Sequence, residues 1–245
     1  MGASTRNLQS RRMVISEVLF KRFERNDLGI DFAVGDIHGH FSQLQKKLDE
    51  IGFNQDVDRL FSVGDLVDRG PECELSLEWI DRPWFHPVRG NHDDYVCRYD
   101  TCDIGNWFQN GGIWFSALTS SEMGDFAVTL RDLPVAIEVE TKSGLVGLVH
   151  ADCPFPSWSA LRKSLGGGDE GGRLRSVKNY CMWSRGRIEN SDTSGVSGVR
   201  ALVVGHTPNE NPVTLGNVYH IDTMGWRPQH GGRFTIINLE TLEFV

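Results

Sequence analysis

Three times in the first hundred residues a short apolar run ends in glycine followed at once by a carboxylate, or by an amide and a histidine. The first run, Ile30–Val34, leads into Gly35-Asp36-Ile37-His38-Gly39-His40. The second, Arg59–Val63, leads into Gly64-Asp65-Leu66-Val67-Asp68-Arg69-Gly70-Pro71, and the third, Phe85–Arg89, into Gly90-Asn91-His92-Asp93. Runs of this length and apolarity read as buried strands. After the first, Phe41, Leu44, Leu48 and Ile51 recur at helical spacing. Strand, tight turn and helix together specify an α/β fold, in which sites form at the carboxyl ends of strands. Glycine lets each turn bend without a Cβ clash. Asp36 and His38, two residues apart on an extended segment, project the same way and can reach one ion.

The later chain adds two more tips. Val135–Val139 and Leu145–Val149 read as a hairpin around Thr141–Gly144 that delivers His150, followed by Ala151-Asp152. Arg200–Val204 leads to Gly205-His206-Thr207, and Val218–Asp222 precedes a terminal strand near Phe234–Leu239. Residues 94–133 read as mostly helical, with Trp107, Phe108, Ile113, Trp114, Phe115 and Leu118 as core candidates and a break at Asn110-Gly111-Gly112. Residues 166–172 are too glycine-rich for helix or strand and read as a surface loop.

No internal repeat or interior linker divides the chain, so residues 29–245 are expected to form a single domain behind an N-terminal extension, 1–28. Val14, Ile15, Val18, Leu19 and Phe23 suggest an amphipathic helix in that extension. The Arg11-Arg12 pair resembles part of an export signal, but Glu17 and Lys21 interrupt the apolar core such a signal needs. No run approaches the roughly 20 apolar residues of a membrane span. A net charge of −8 gives no electrostatic affinity for nucleic acid or an anionic membrane, so any basic groups at a site must be locally placed. Five scattered cysteines, odd in number and without a Cys-x-x-Cys pair, read as small buried residues in a reducing cytoplasm.

Five strand tips thus present Asp36 and His38, Asp65, Asn91 and His92, His150, and His206. This mixed nitrogen and oxygen set suits Mn²⁺, Fe²⁺ or Zn²⁺ and is poor for Ca²⁺. There are too many donors for one tetrahedral ion. Two ions sharing a bridging carboxylate account for the number, and two-metal sites serve phosphoester hydrolysis by acidifying water. Arg69, beside Asp68, and Arg185, in Trp183-Ser184-Arg185, are candidates to clamp phosphate, since a guanidinium fork matches its oxygens. His40, His86, His220 and His230 lack the glycine-flanked context and stay unassigned, although His40 and His220 lie near strand tips.

The three blocks Gly35–Gly39, Gly64–Gly70 and Gly90–His92, with His150 and Gly205-His206 downstream, resemble the signature of the phosphoprotein phosphatase superfamily of metallophosphoesterases. His150-Ala151-Asp152, Trp107–Gly112 and Trp183-Ser184-Arg185 are similar to the bacterial and bacteriophage serine/threonine phosphatases typified by lambda phosphatase. The resemblance implies two mixed β-sheets packed as a central β-sandwich flanked by helices, and a preference for Mn²⁺. It implies that Asp36, His38 and Asp65 bind one metal, and that Asp65 bridges to a second completed by Asn91, His150 and His206. A bridging hydroxide would attack phosphorus in line. His92, paired with Asp68, would protonate the leaving oxygen, while Arg69 and Arg185 hold the phosphate and Arg89 supports them.

Two positions depart from the family pattern. Asp93 replaces a Glu, which shortens its reach by one methylene, and Met224-Gly225-Trp226 replaces the usual glycine after Ile221-Asp222-Thr223. The expected function is a broad-specificity serine/threonine phosphatase acting on phosphorylated proteins or small phosphomonoesters. Its nearest alternative is a symmetrical dinucleoside tetraphosphate hydrolase, a branch that tends to carry Ala where this chain has Asp68. The remaining alternative is a catalytically silent metal-binding interaction protein, which would be expected to have lost a ligand or His92.

Overall fold

In a computed structural model of the chain, residues 17–167 and 172–245 are described. Among the described residues, ten strands form two mixed sheets. The smaller holds β2 (Asp31–Val34), β3 (Arg59–Ser62), β4 (Phe85–Pro87) and β10 (Ile236–Asn238) in the order β10-β2-β3-β4. The larger holds β1 (Phe20–Phe23), β5 (Ala136–Thr141), β6 (Gly144–Val149), β7 (Ala201–Val204), β8 (Val213–Leu215) and β9 (Val218–His220) in the order β1-β5-β6-β7-β9-β8.

The two-residue period of the strands explains how the sheets stack. Ala33 and Phe61 of the smaller sheet point inward to meet Ile137, Val139, Val146, Leu148, Ala201 and Val203 of the larger. Their neighbours point outward. Phe32, Val34 and Leu60 pack beneath α1 (Phe41–Glu50), α2 (Leu75–Ile80), α3 (Asn91–Cys97), α4 (Ile104–Gln109) and α5 (Ser120–Arg131). On the far side, Ala136, Val149, Leu202 and Val204 pack beneath α6 (Trp158–Gly166) and α7 (Arg173–Trp183). The strands are apolar on both faces because both faces are covered. The expected sandwich flanked by helices is the observed architecture.

Some expectations need correction. Residues Phe20–Phe23 form an edge strand parallel to β5, not the end of an amphipathic helix. Backbone pairing with the edge of the sheet, from Phe20 opposite Ala136 to Phe23 opposite Val139, overrides the helical spacing there, and the earlier part of that segment lies outside the described residues. Ile113, expected in the core, is 65% exposed, because Gly112–Ala117 is a 3₁₀ turn whose other face meets the core. The glycine-rich stretch begins inside α6, which ends at Gly166, and Gly172 caps α7. Positions 168–171 of the expected loop lie outside the described residues. Strand β8 and the helices α6 and α7 have no counterpart in the sequence reading.

All strand ends that carry the candidate residues open on one edge of the sandwich. Strands β2, β3 and β4 run parallel, and so do β6, β7 and β9.

Candidate metal centre

The turns after β2 and β3 hold their side chains in unusual backbone conformations. His38, Asp65, Asp68 and Arg69 adopt positive φ of 45°, 52°, 71° and 67°, and His206 after β7 adopts 67°. Such angles cost energy for residues with a Cβ and persist where the surroundings fix them. Here the surroundings are specific. Asp93 accepts hydrogen bonds from the backbone amides of Gly90 (2.8 Å), Asp65 (3.0 Å) and Leu66 (2.9 Å), tying the second turn to the third. The shorter aspartate therefore reaches its neighbours. A Cβ at Gly90 would overlap the Asp65 carboxylate, and one at Gly205 would overlap that of Asp36, so glycine lets the two sheets close on the site.

The donors converge in two groups that share one carboxylate. His38 Nε2 lies 3.4 Å from Asp65 Oδ2 and 3.9 Å from Asp36 Oδ2. His150 Nε2 lies 3.4 Å from Asp65 Oδ1, and Asn91 Oδ1 lies 2.9 Å from both His150 Nε2 and His206 Nδ1. The donors of Asp36, Asp65 and His150, and those of His38, Asp65 and His92, each fall within 4.8 Å of one another. His38 and His150 donate their Nδ1–H to the Val67 and Val63 carbonyls at 2.8 and 2.7 Å, which leaves Nε2 of each turned to the centre. This donor set fits two divalent ions with Asp65 between them.

The charges point the same way. Asp36, Asp65 and Asp222 are buried together. Burial, then the Asp222 charge, pushes the Asp36 carboxyl well above the usual carboxylate range. Burial also opposes ionisation of Asp65, but His150 and His92 outweigh it and hold that carboxyl well below its usual value. Burial works against a charge on His150, yet Asp65 and Asp36 carry it up to about 9. Burial and the neighbouring His150 push His206 down to about 2. A buried acidic cluster of this kind needs cationic partners.

Beside the donors, His92 Nδ1–H donates to Asp68 Oδ2 at 2.7 Å. Two indoles secure Asp68: Trp107 donates to Oδ2 and Trp114 to Oδ1, each at 2.7 Å. Sequence reasoning placed both tryptophans in the core and missed this role. The signal lay in the break at Asn110–Gly112, where Arg69 N–H donates to the Gly111 carbonyl (3.2 Å) and brings that loop over the second turn. The Arg69 guanidinium lies 2.7 Å from His38 Nε2 and 2.9 Å from His92 Nε2. Its carbon sits 4.3 Å from the Trp226 ring centroid, so the departure Met224-Gly225-Trp226 supplies a stacking surface for Arg69. Arg185 is exposed, donates to Thr207 Oγ1 at 3.2 Å, and lines a hollow of ≈150 Å³ with Arg69, Asn91, His92 and His206.

Arg89 is not brought to this hollow. It is buried and bonds the Arg131 and Leu133 carbonyls (2.9 and 3.2 Å) beside Glu17. Of the unassigned histidines, His40 Nδ1 donates to the His38 carbonyl at 2.7 Å, and buried His220 makes no side-chain hydrogen bond among the described residues. All five cysteines are free, and Cys102 alone is not fully buried.

The calcineurin-like phosphoesterase profile matches residues 32–210. Serine/threonine-protein phosphatase 1 of Salmonella typhimurium is 32% identical over 232 residues, covering 93% of this chain and all of that one. The symmetrical bis(5'-nucleosyl)-tetraphosphatase of Methylococcus capsulatus is 30% identical over 131 residues, covering 53% of this chain and 45% of that one. A solved structure described provisionally as a diadenosine tetraphosphatase superposes with a TM-score of 0.63 at 18% identity, covering 93% of this chain and 96% of that one, a likeness of fold.

Proposed function

Since the chain belongs to the calcineurin-like phosphoesterase family, we propose that it is a phosphomonoester hydrolase that uses two divalent ions and acts on phosphoserine and phosphothreonine in proteins. The observation that carries this reading is the buried pair His92–Asp68 at 2.7 Å, held by two indoles. A serine alkoxide is a poor leaving group and needs a proton as the bond to phosphorus breaks. Asp68 accepts from His92 Nδ1 and so holds the ring with Nε2 turned toward the hollow, the position from which a proton would be delivered. The tetraphosphatase reading lacks this need, since the phosphate it expels is already stable as an anion.

Asp36, His38 and Asp65 would hold one ion, and Asp65, Asn91, His150 and His206 the other. Their mixed donors suit Mn²⁺, with iron or zinc as alternatives. When bound, such a pair polarises the phosphoryl oxygens and lowers the pKa of water. Arg69 and Arg185 both line the hollow and would hold phosphoryl oxygens, so that charge developing on the phosphorus meets fixed cations. Arg89 would act indirectly, by tying α3 to the Arg131–Leu133 backbone. Residues 29–245 would form the catalytic unit. Among the described residues no helix is long and apolar enough to cross a membrane, and free cysteines suit the cytoplasm.

The reading is tested by adding Mn²⁺ back to metal-free protein and assaying an aryl phosphate, a phosphoserine peptide and diadenosine tetraphosphate. Mn²⁺-dependent cleavage of the two monoesters supports it. Cleavage confined to the dinucleotide transfers the chain to the tetraphosphatases, and no turnover with metal bound leaves a silent module.

A further inference from the structure

Helix α7 carries Arg173, Arg175 and Lys178 and no carboxylate, although the chain as a whole has a net charge of −8. Arg175, Lys178, Asn179 and Met182 follow one another at helical spacing along one face. That face lines a groove of ≈660 Å³, whose other wall is Tyr95 and Arg98 from the end of α3. The groove adjoins the metal centre, because Tyr95 and Trp183 line both the groove and the ≈150 Å³ hollow. The two rings meet edge to face at 5.4 Å, and Tyr95 stacks on Trp107 at 5.9 Å, so this sill is fixed from below.

The acids in the groove are already engaged. Asp94 is buried and pairs with Arg98 at 2.7 Å and with Arg89 at 3.7 Å. Asp103 caps the short helix Ile104–Gln109 through the Asn106 amide. Lys178 is tethered to Glu17 at 2.7 Å. Arg175 is exposed and makes no ion pair with any other described residue. From Trp183 to Arg175 the helix rises about 12 Å, the span of about three to four residues of extended chain.

We infer that this groove receives the polypeptide flanking the phosphorylated residue, and that Arg175 selects segments with Asp or Glu about three to four residues from it. The inference rests on the phosphomonoesterase reading and adds to it the chemistry of the substrate. A peptide entering from the sill would lay its backbone across Trp183 and Tyr95 and bring its carboxylate to Arg175, the one cation lining the groove that has no ion pair among the described residues. A small aryl phosphate reaches the hollow without touching the groove.

The test compares phosphoserine peptides carrying Asp, Ala or Lys at the third and fourth positions on either side, using the Mn²⁺-loaded full chain and p-nitrophenyl phosphate as control. The wild type is expected to favour the Asp peptide over the Lys peptide by about fivefold in kcat/KM, through KM and only on one side. Arg175→Glu should abolish or invert that order, Arg175→Lys should keep it, and neither should alter turnover of the aryl phosphate. Aryl phosphate turnover with no peptide discrimination, or an order unchanged in Arg175→Glu, overturns the groove assignment alone. No monoester turnover in the wild type overturns both readings.

Discussion

The smaller sheet brings Asp36, His38, Asp65, Asp68, Arg69, Asn91 and His92 to the centre from three parallel strands, whereas the larger brings His150, His206 and Asp222 from three of its six. The turns of the smaller sheet are knitted together: Asp93 holds three of their amides, and four of their side-chain-bearing residues take positive φ. The larger sheet donates single residues from separate strand ends, with only His206 among the three at positive φ, and they are locked by contacts to the other sheet. His150 donates to the Val63 carbonyl, and the His206 amide donates to Asp36 Oδ1 at 3.1 Å. One sheet builds the site by local backbone design, and the other completes it by packing.

The sharpest way to separate the two contributions is to remove the proton donor that only the smaller sheet provides. His92→Asn should lower kcat on a phosphoserine peptide by roughly 10²–10⁴-fold. The loss should be smaller with an aryl phosphate, whose leaving oxygen needs no proton. Equal losses on both substrates would remove His92 from the proton transfer.

Asp93→Asn tests the knitting itself. It touches none of the donors' coordinating atoms, yet it should weaken Mn²⁺ activation by roughly 10–100-fold, as changes behind metal ligands do. An unchanged activation curve would mean that the backbone turns hold without it. Trp226, reached from the larger sheet through Asp222, contacts Arg69 of the smaller. Trp226→Leu should raise the Ki for inorganic phosphate by about 5- to 30-fold, the equivalent of about 1–2 kcal/mol for a cation–π contact, with Trp226→Phe retaining most of the affinity. A similar loss in Trp226→Phe would point to packing instead.

Away from the centre each sheet holds a histidine without a charge partner, His86 partly buried and His220 buried. Burial, together with Lys21 and Arg59, pushes His86 of β4 down to about 4, and burial, with Arg187, does the same to His220 of β9. His86 lies against Phe23 and Phe61 at ring distances of 4.5 and 5.3 Å. The unfolded chain binds these protons from pH 6.5 downward and the folded chain only near pH 4, so stability is lost as pH falls through that window. For His86 the loss at pH 5 is about 2 kcal/mol. His86→Phe should therefore narrow the difference in Tm between pH 7 and pH 5 by several degrees, and an unchanged difference would refute the burial account.

The same asymmetry explains what the sequence made legible. The smaller sheet wrote its part of the site into contiguous blocks, so Asp36 through His92 could be read directly from apolar runs and glycine turns. His150 and His206 were readable because each follows an apolar strand. Trp107, Trp114 and Trp226 were not, because their roles depend on contacts across 39, 46 and more than 150 residues that no local pattern encodes. Arg89 misled for the opposite reason: its place beside the third block gave no sign that its guanidinium turns away to the Arg131 and Leu133 carbonyls. Helices α6 and α7 flank a glycine-rich stretch whose composition hid the helical faces on either side.

The account stands or falls on two ions held between the sheets with Asp65 as their common ligand. Equilibrium dialysis against saturating Mn²⁺ measures this directly. It should give two ions per wild-type chain and at most one in Asp65→Ala. A single ion in the wild type, or two retained in Asp65→Ala, would contradict it.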